Sequence, residues 1–389
     1  MSKTSTNCWI RIVLVGCVIL SLVSSLWWLG LEDFDVRSSR HNLDDLTTFS
    51  ITTSKSSTAI TATRHVLYAL SGDHPSFFRE FEVSLKSVLL NAPCKNPLTI
   101  HIMADRMAYK GLQEIVFANL TITDIRLPTS IAIRLYNVQG FEQKWDSTIR
   151  KRTAVATTMV KRLRLYGHTM GTWYRLFAAD VLPPTVETVV YLDSDVVIMA
   201  NLENVWTQQQ EIERQRGPVL FYWGESQCAG FLVLKPQLEI QQQLWDTYTN
   251  APRSVIKTVM DVSKVVSDQH VLQVVQAVSP QLVGILGLEW DVSVVNRLWL
   301  KLTRSMAEHR PNGVGMLHFN GGGTSPHAFF ESGEATHYFK DKYWNLAKYY
   351  VDLPWNWAFF QMYSRIGIGE PSYPLQFHYI NDPILQVAT

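Results

Sequence analysis

Residues 189–206 read VVYLDSDVVIMANLENVW, and this stretch decides how the rest of the chain can be interpreted. An apolar run leads to two aspartates one residue apart, Asp193 and Asp195, and a second apolar run follows. Unpaired carboxylates are costly to bury, because water stabilises their charge far better than a protein interior does. The pattern therefore predicts a buried strand that carries the two aspartates to its end, with a counter-charge close to them.

The segments upstream predict an α/β domain. A β-rich run at 65–72 is followed by a helical pattern at 76–92, which places Phe78, Phe81, Leu85, Val88 and Leu89 on one face. A second strand pattern at 97–105 and a second helical pattern at 107–120 follow. This alternation is typical of a largely parallel sheet flanked by helices.

Residues 172–183, TWYRLFAADVLP, predict a helix that stops at Pro183 and Pro184, directly before the strand of the aspartates. The aspartates then lie at the carboxyl end of that strand, where open α/β sheets bind ligands. Residues 129–170 look irregular and basic. They are interpreted as a solvated charged face, or as a loop that handles an anionic substrate or a membrane surface.

The amino terminus differs in character from the rest of the chain. Residues 12–31 contain no charge and are long enough to cross a bilayer as a helix, although a cleaved signal peptide is the alternative. Lys3 and Arg11 precede this run, so the carboxyl-terminal body is expected on the lumenal side, as a type II protein of the Golgi membrane or the ER. The predicted parts are a cytoplasmic tail 1–11, a transmembrane helix 12–31, a Ser/Thr-rich stem 32–63 and a lumenal domain 64–389.

Composition narrows the class of partner. The 389 residues carry a net charge of only +1, which argues against nucleic acid as a partner. Asn119 begins an N-glycosylation triplet in the body, and the expected lumenal side favours its use.

Two neighbouring carboxylates repel each other unless a cation lies between them. Mg²⁺ and Mn²⁺ prefer oxygen ligands and suit such a pair. Near the carboxyl terminus, His318 follows a short apolar run and precedes a glycine run at 321–323. A neutral histidine can be a third metal ligand, and glycines let backbone N–H groups approach phosphate oxygens. Each of these features alone is a weak signal, and an exposed acidic turn is the alternative for the aspartates.

The motifs taken together resemble the family 8 retaining glycosyltransferases of the GT-A fold. The resemblance covers roughly residues 64–345 and rests on the order and approximate spacing of several segments. They are YRLFAADVLP (174–183), VVYLDSDVVIMANLENVW (189–206), CAGFLVLKP (228–236), SDQHVL (267–272), LEWDVS (288–293) and LHFNG (317–321).

This resemblance implies a Rossmann-like GT-A domain that transfers a hexose or pentose from a nucleotide sugar, usually a UDP-sugar, to a glycan or glycoconjugate. Mn²⁺ or Mg²⁺ would hold the diphosphate, and transfer would retain the anomeric configuration. The implied residues are Asp193, Asp195 and His318 for the metal, Tyr68, Ala69, Arg175, Asn320 and Gly321 for the nucleotide and its phosphates, and Asp268 with Gln269 facing the donor sugar.

The chain also departs from the family pattern. Ser71 stands where the family commonly has Asp, and Cys228 stands where an Asn that contacts the sugar is usual. The loop after His318 lacks the lysine that commonly pairs with the diphosphate. Two other functions stay open at this point: a non-catalytic lumenal binding protein with the same fold, and a phosphatase in which Asp193 is the nucleophile.

Overall fold

The fold is taken from a computed structural model of the 389-residue chain. The structure describes residues 62–92, 96–117, 131–159, 170–263, 266–294, 313–320, 325–331, 342–355, 358 and 377–380. Residues Thr61–Thr389 form one compact unit.

An eight-stranded sheet forms the centre of this unit, in the order β11-β3-β2-β1-β4-β7-β6-β8. Most neighbours are parallel, and only β7 runs antiparallel to the strands on both of its sides. The predicted α/β class with a mostly parallel sheet is confirmed. The strands are β1 Arg64–Leu70, β2 Leu98–Ala104, β3 Ile131–Asn137, β4 Val189–Leu192, β5 Val196–Ile198, β6 Phe221–Gly224, β7 Phe231–Leu234, β8 Val283–Leu286, β9 Val292–Ser293, β10 Met316–His318 and β11 Phe377–Ile380.

Helices flank the sheet. They are α1 Pro75–Leu90, α2 Arg106–Gly111, α3 Gln139–Arg152, α4 Ala154–Met159, α5 Gly171–Tyr174, α6 Glu203–Arg216, α7 Leu238–Thr249, α8 Arg253–Ser263, α9 Asp268–Val278, α10 Pro326–Glu331 and α11 Lys342–Asp352. Short 3-10 turns cover Arg175–Asp180, Pro280–Leu282 and Leu288–Trp290, and a π-helical turn covers Leu112–Val116.

Helix α1 shows why these sequences fold as they do. Pro75 begins the helix, where its missing N–H costs nothing, and the side chain of His74 accepts from the Ser76 amide. All five residues predicted for its apolar face are buried. Successive side chains of a strand point to opposite faces of the sheet. Accordingly, Val66 and Tyr68 of β1 pack into the core on one side of the sheet, and Leu67 packs into the core on the other.

The strand order reverses between β1 and β4, so their carboxyl ends open a crevice of the kind that binds ligands in α/β proteins. Tyr68 pairs with Leu192 in the parallel register of these strands. Residues that follow Tyr68 and Leu192 in the chain therefore lie at the same edge of the sheet.

The apolar runs on the two sides of the aspartates form separate strands, since β4 belongs to the large sheet and β5 to a separate sheet of β5, β10 and β9. Two sequence expectations need correction. The segment predicted as one helix is a single α-helical turn, Gly171–Tyr174, that tightens into the 3-10 turn Arg175–Asp180 with a kink at Phe177. The stretch 129–170, expected to be irregular, contains β3, α3 and α4.

In the part of the chain that the structure describes, no helix is long and apolar enough to cross a membrane. The predicted anchor 12–31, almost all of the stem and the Asn119 triplet lie outside the described residues. So does the glycine run 321–323, which includes Gly321.

A chain of hydrogen bonds crosses three strands on one face of the sheet. His65 Nδ1 lies 3.0 Å from His101 Nε2, and His101 Nδ1 lies 2.9 Å from the Tyr136 hydroxyl. Burial, with Arg134 nearby, lowers the pKa of His65 from 6.5 to about 4. Burial also lowers the pKa of His101 well below its usual range. Both rings are therefore neutral in the folded protein at neutral pH.

The hydrogen-bonded side chains of His65, His101 and Tyr136 predict that the stability of the folded protein depends on pH. Between pH 6.5 and about 4 the unfolded chain binds protons at these histidines and the folded chain does not, so the free energy of unfolding should fall with the pH. Urea titrations across this range measure the effect. His65→Gln should flatten the curve, whereas His74→Asn, at an exposed helix cap, should leave its slope unchanged. Equal slopes for wild type and His65→Gln would contradict this account.

Candidate functional site

The two aspartates occupy the short turn between β4 and β5. The backbone N–H of Asp193 donates to the Gly230 carbonyl at 2.9 Å, which ties the turn to the start of β7. About a quarter of each side chain is exposed, 27% for Asp193 and 26% for Asp195. The turn therefore offers two carboxylates to the crevice at the carboxyl edge of the sheet, as the sequence predicted.

His318 lies beside the two aspartates, although it is more than a hundred residues further along the chain. It ends β10, which runs antiparallel to β5 with His318 opposite Val196. Its Nε2 atom lies 3.4 Å from Asp195 Oδ1 and 4.0 Å from Asp193 Oδ2, and the ring is only 2% exposed. The three predicted metal ligands are thus brought together by the small sheet.

Gly230 is required for this arrangement. A Cβ atom at this position would lie 2.1 Å from Cε1 of His318 and 2.9 Å from Oδ2 of Asp193. Contacts that short do not occur, so any larger residue would push the histidine away from the carboxylates. Gly230 therefore matters to the site because its missing side chain leaves room for the ring of His318.

Arg175 supplies the counter-charge that the aspartates require. Its Nη2 atom lies 2.9 Å from Asp193 Oδ1, and its Nε atom lies 3.1 Å from Asp268 Oδ2. Its guanidinium also stacks over the ring of Tyr191, 4.2 Å from the centroid, and the Tyr191 hydroxyl donates to Asp193 Oδ1 at 2.5 Å. The arginine is 3% exposed, so it is a buried ion-pair partner that joins two predicted site residues.

Asp268 is held mainly by charge. The Nε–H of Arg175, which lies near Asp268 Oδ2, donates its hydrogen to the Thr172 carbonyl at 2.9 Å instead. Asp268 Oδ2 therefore forms an ion pair with the arginine but no hydrogen bond. Burial raises the pKa of Asp268, and the charge of Arg175 opposes that effect. Ser267 caps helix α9 by accepting from the His270 amide, and the cap fixes Asp268 and the partly exposed Gln269 in the first turn.

The charges around His318 favour the ionised aspartate. Burial raises the pKa of Asp195, but the neighbouring His318 outweighs it and leaves the pKa lowered. Burial lowers the pKa of His318, yet the side chains around its ring, Cys228 and Asp195 foremost, raise that pKa well above its usual range. The cluster thus keeps a positive charge beside the carboxylates when no metal is bound.

A second set of polar groups lies behind His318. Asp291 Oδ1 is 3.2 Å from Nδ1 of the ring, and Cys228 Sγ is 3.6 Å from it. Asn320 donates its Nδ2 hydrogen to the sulfur at 3.6 Å and accepts the Ser293 hydroxyl at 2.5 Å. The predicted phosphate-loop residue Asn320 therefore holds Cys228, which lies beside the histidine.

The two predicted nucleotide residues of β1 are placed differently. The Tyr68 side chain is fully buried against Phe81, and its hydroxyl lies 2.9 Å from Ser84 Oγ, so only its main chain could reach a ligand. Ala69 follows it, partly exposed, at the edge where Asp193 follows Leu192. Ser71 donates to Asp105 Oδ2 at 2.7 Å, and the Gly72 amide donates to the same atom at 2.7 Å.

Sequence reasoning missed three groups of the site: Tyr191, Asp291 and Glu80. Burial, together with the charge of Asp195, raises the pKa of Glu80 to about 7. Glu80 lies within α1 and is not one of the residues that the helical pattern places on its apolar face. Asp291 lies in the segment LEWDVS (288–293), which carries part of the family resemblance. Its position directly after Trp290 was the sequence feature that could have marked it as a buried carboxylate.

The donor set fits a hard divalent cation. The ligand atoms of Asp193, Asp195 and His318 all lie within 4.8 Å of one another. Two carboxylate oxygens and one imidazole nitrogen suit Mn²⁺ or Mg²⁺. The same histidine also belongs to a second triplet with Cys228 and Asp291, through its other nitrogen.

Comparison with known proteins identifies the domain. Residues 65–214 match the sequence profile described as glycosyl transferase family 8, a span that contains Arg175, Asp193 and Asp195. The chain carries a family 8 glycosyltransferase domain. Asp268 and His318 of this glycosyltransferase lie beyond the matched span. The match is to a transferase family, so the phosphatase alternative for Asp193 is wrong. A search of curated protein sequences found no match to the chain.

Three solved structures show what the glycosyltransferase is similar to. Mouse xyloside xylosyltransferase 1 is 12% identical, with 67% of this chain and 98% of that chain covered and a TM-score of 0.47. GlyE of Streptococcus pneumoniae TIGR4 is 15% identical, with 80% and 66% covered and a TM-score of 0.48. The galactosyltransferase LgtC is 16% identical, with 75% and 98% covered and a TM-score of 0.42. All three scores lie below 0.5, so the assignment stands on the family match and the ordered motifs.

The ion pairs of Arg175 predict a large loss of stability on substitution. Arg175→Met leaves two carboxylates without their partner, and we expect the free energy of unfolding to fall by about 3–5 kcal/mol. Urea denaturation measures it. Arg150→Met is the matched control, since Arg150 pairs with Asp146 on an exposed helix surface and its loss should lower the free energy of unfolding far less.

Arg175→Lys adds a second test, because lysine keeps the charge and loses the planar fork that contacts both aspartates. We expect a loss of stability between those of the other two variants. If Arg175→Met and Arg150→Met were equally stable, the buried ion pairs would not be holding the site together.

Proposed function

We propose that this protein is a metal-dependent retaining glycosyltransferase that moves a sugar from a nucleotide sugar, most simply a UDP-sugar, to a glycan, glycoprotein or glycolipid acceptor. One observation carries the proposal. Asp193, Asp195 and His318 come from segments more than a hundred residues apart, and their ligand atoms converge at the carboxyl edge of β4. The family match supplies the transferase class.

In the proposed reaction, the bond between the anomeric carbon and the diphosphate oxygen breaks, and a bond from an acceptor hydroxyl oxygen to that carbon forms. The bonding electrons leave with the nucleoside diphosphate, and the hydroxyl proton passes to that diphosphate or to solvent. A divalent ion held by Asp193, Asp195 and His318 would neutralise the charge that builds on the diphosphate.

The remaining site residues would position the substrates. The backbone at Tyr68 and Ala69 would face the nucleoside, because these residues lie near the carboxyl end of β1, beside the aspartate turn. Asp268 would face the donor sugar, held in place by Arg175 and by its capped helix. Asn320 and the glycines after it would approach the phosphates. Cys228 is held between His318 and Asn320, so it is a poor substitute for a freely projecting amide that contacts the sugar.

The first experiment is a screen of UDP-sugars for Mn²⁺-dependent hydrolysis or transfer by the full-length chain. Asp195→Asn and His318→Gln should each lower the rate with the active donor at least about 100-fold, because a metal contributes several kcal/mol to such a reaction. Asp146→Asn, which changes an exposed carboxylate on α3, is the matched control and should leave the rate unchanged.

The same screen, combined with calorimetry, distinguishes the proposed enzyme from a non-catalytic lumenal binding protein. That protein would bind a UDP-sugar with Mn²⁺ in calorimetry and turn over none. A chain that bound no nucleotide in the presence of Mn²⁺ would rule out both functions.

We propose further that residues 12–31 anchor the protein in the Golgi membrane with the domain in the lumen. The charge pattern around this apolar run supports that orientation. The full-length chain expressed in a eukaryotic cell should stay in the membrane after alkaline carbonate extraction. It should also carry an N-glycan that Asn119→Gln removes. Release of a shortened, soluble chain would instead indicate a cleaved signal peptide.

A further inference from the structure

Asp291 is a fully buried carboxylate directly behind the candidate metal ligand His318. Its Oδ1 atom lies 3.2 Å from Nδ1 of the imidazole, and its own exposure is 0%. Its Oδ2 atom accepts the hydroxyl of Ser226. A buried carboxylate with one oxygen on the imidazole and the other on a hydroxyl is held in one orientation.

The two nitrogens of His318 have different neighbours. Nε2 faces Asp195 and Asp193, at 3.4 and 4.0 Å, and Nδ1 faces Asp291. A neutral imidazole carries its proton on one nitrogen and offers a lone pair on the other. For Nε2 to bind a metal, the proton must sit on Nδ1, and a hydrogen-bond acceptor at Nδ1 favours that tautomer.

Cys228 is the other candidate acceptor for the Nδ1 proton. Its sulfur is farther away, at 3.6 Å, and it already accepts the amide hydrogen of Asn320. Sulfur is also a weaker acceptor than a carboxylate oxygen. The geometry therefore favours Asp291 as the group that receives the Nδ1 hydrogen, with Cys228 limiting the movement of the ring.

The backbone around Asp291 is fixed before any ligand arrives. The preceding turn Leu288–Trp290 buries Trp290, whose ring stacks on Phe231 at a centroid distance of 6.0 Å. The amide of Val294, just beyond β9, donates to the His318 carbonyl at 2.8 Å. A Cβ atom at Gly224 would lie 3.0 Å from the Cβ of Asp291, so this glycine leaves the aspartate its space.

From these contacts we infer that Asp291 is a positioning residue, which holds His318 in the Nδ1–H tautomer and aims Nε2 at the two aspartates, and that Ser226 holds Asp291 in turn. The inference rests on the proposed metal site of Asp193, Asp195 and His318. Asp291 itself lies on the far side of the ring from those carboxylates, so it acts on a bound metal only through the histidine.

The test measures Mn²⁺ affinity of the full-length protein by electron paramagnetic resonance, with the metal alone as the probe. Asp291→Asn preserves the shape of the side chain and removes its charge. Loss of such a supporting partner should weaken Mn²⁺ binding by about 10–100-fold. Asp261→Asn, an exposed carboxylate on α8, is the matched control and should bind Mn²⁺ as the wild type does.

Donor turnover gives a second readout that a merely structural role would not produce. With Asp291→Asn, the Mn²⁺ concentration for half-maximal rate should rise by the same factor, and the rate at saturating Mn²⁺ should return close to that of the wild type. A general loss of structure would lower the rate at every metal concentration. Such a uniform loss, in a variant that keeps the wild-type Mn²⁺ affinity, would overturn the inference.

Ser226→Ala keeps the inference testable if Asp291→Asn does not fold. Removing the hydroxyl frees the carboxylate to turn, so Mn²⁺ binding should weaken by a smaller factor, a few-fold. Equal Mn²⁺ affinity in folded wild type, Asp291→Asn and Ser226→Ala would overturn this inference alone. A wild type that bound no Mn²⁺ would overturn the proposed metal-dependent function as well.

Discussion

The buried guanidinium of Arg175 is the charge on which the rest of the site depends. It contacts Asp193 from the turn after β4 and Asp268 from the first turn of α9, and it stacks on Tyr191. Two carboxylates could not be kept this close together in a poorly hydrated place without a cation. The same ion pairs tie the helix of Asp268 to the strand of Asp193, so charge compensation also sets the geometry of the site.

The small sheet of β5, β10 and β9 makes the second connection. It pairs the residues just after Asp195 with the segment that ends at His318, and so brings together two parts of the chain that are more than a hundred residues apart. The chain must leave space where they meet, which explains glycine at 230. The result is a histidine whose ring is buried while the carboxylates beside it stay partly open to the crevice.

Different surroundings give the acidic groups of the site different roles. Asp195 is kept ionised by His318, Asp268 is buried beside Arg175, and Asp291 lies behind the histidine with donors around it. The side chains of Asp268 and Asp291 are thus enclosed, whereas those of Asp193 and Asp195 are exposed by about a quarter. Rigid support behind exposed ligands is the arrangement that metal and phosphate sites require.

Much of the fold and half of the site follow from the sequence alone. Local patterns determined β1, β4 and α1, because alternation and helical periodicity are set by neighbouring residues. They also placed Asp193 and Asp195 at the end of a strand. Tertiary structure decided that the two apolar runs belong to different sheets, that Tyr68 is a core residue, and that Arg175, Asp268, Asp291 and His318 meet. Those contacts join residues far apart in the chain, and no local pattern of side chains records which distant segments will pack together.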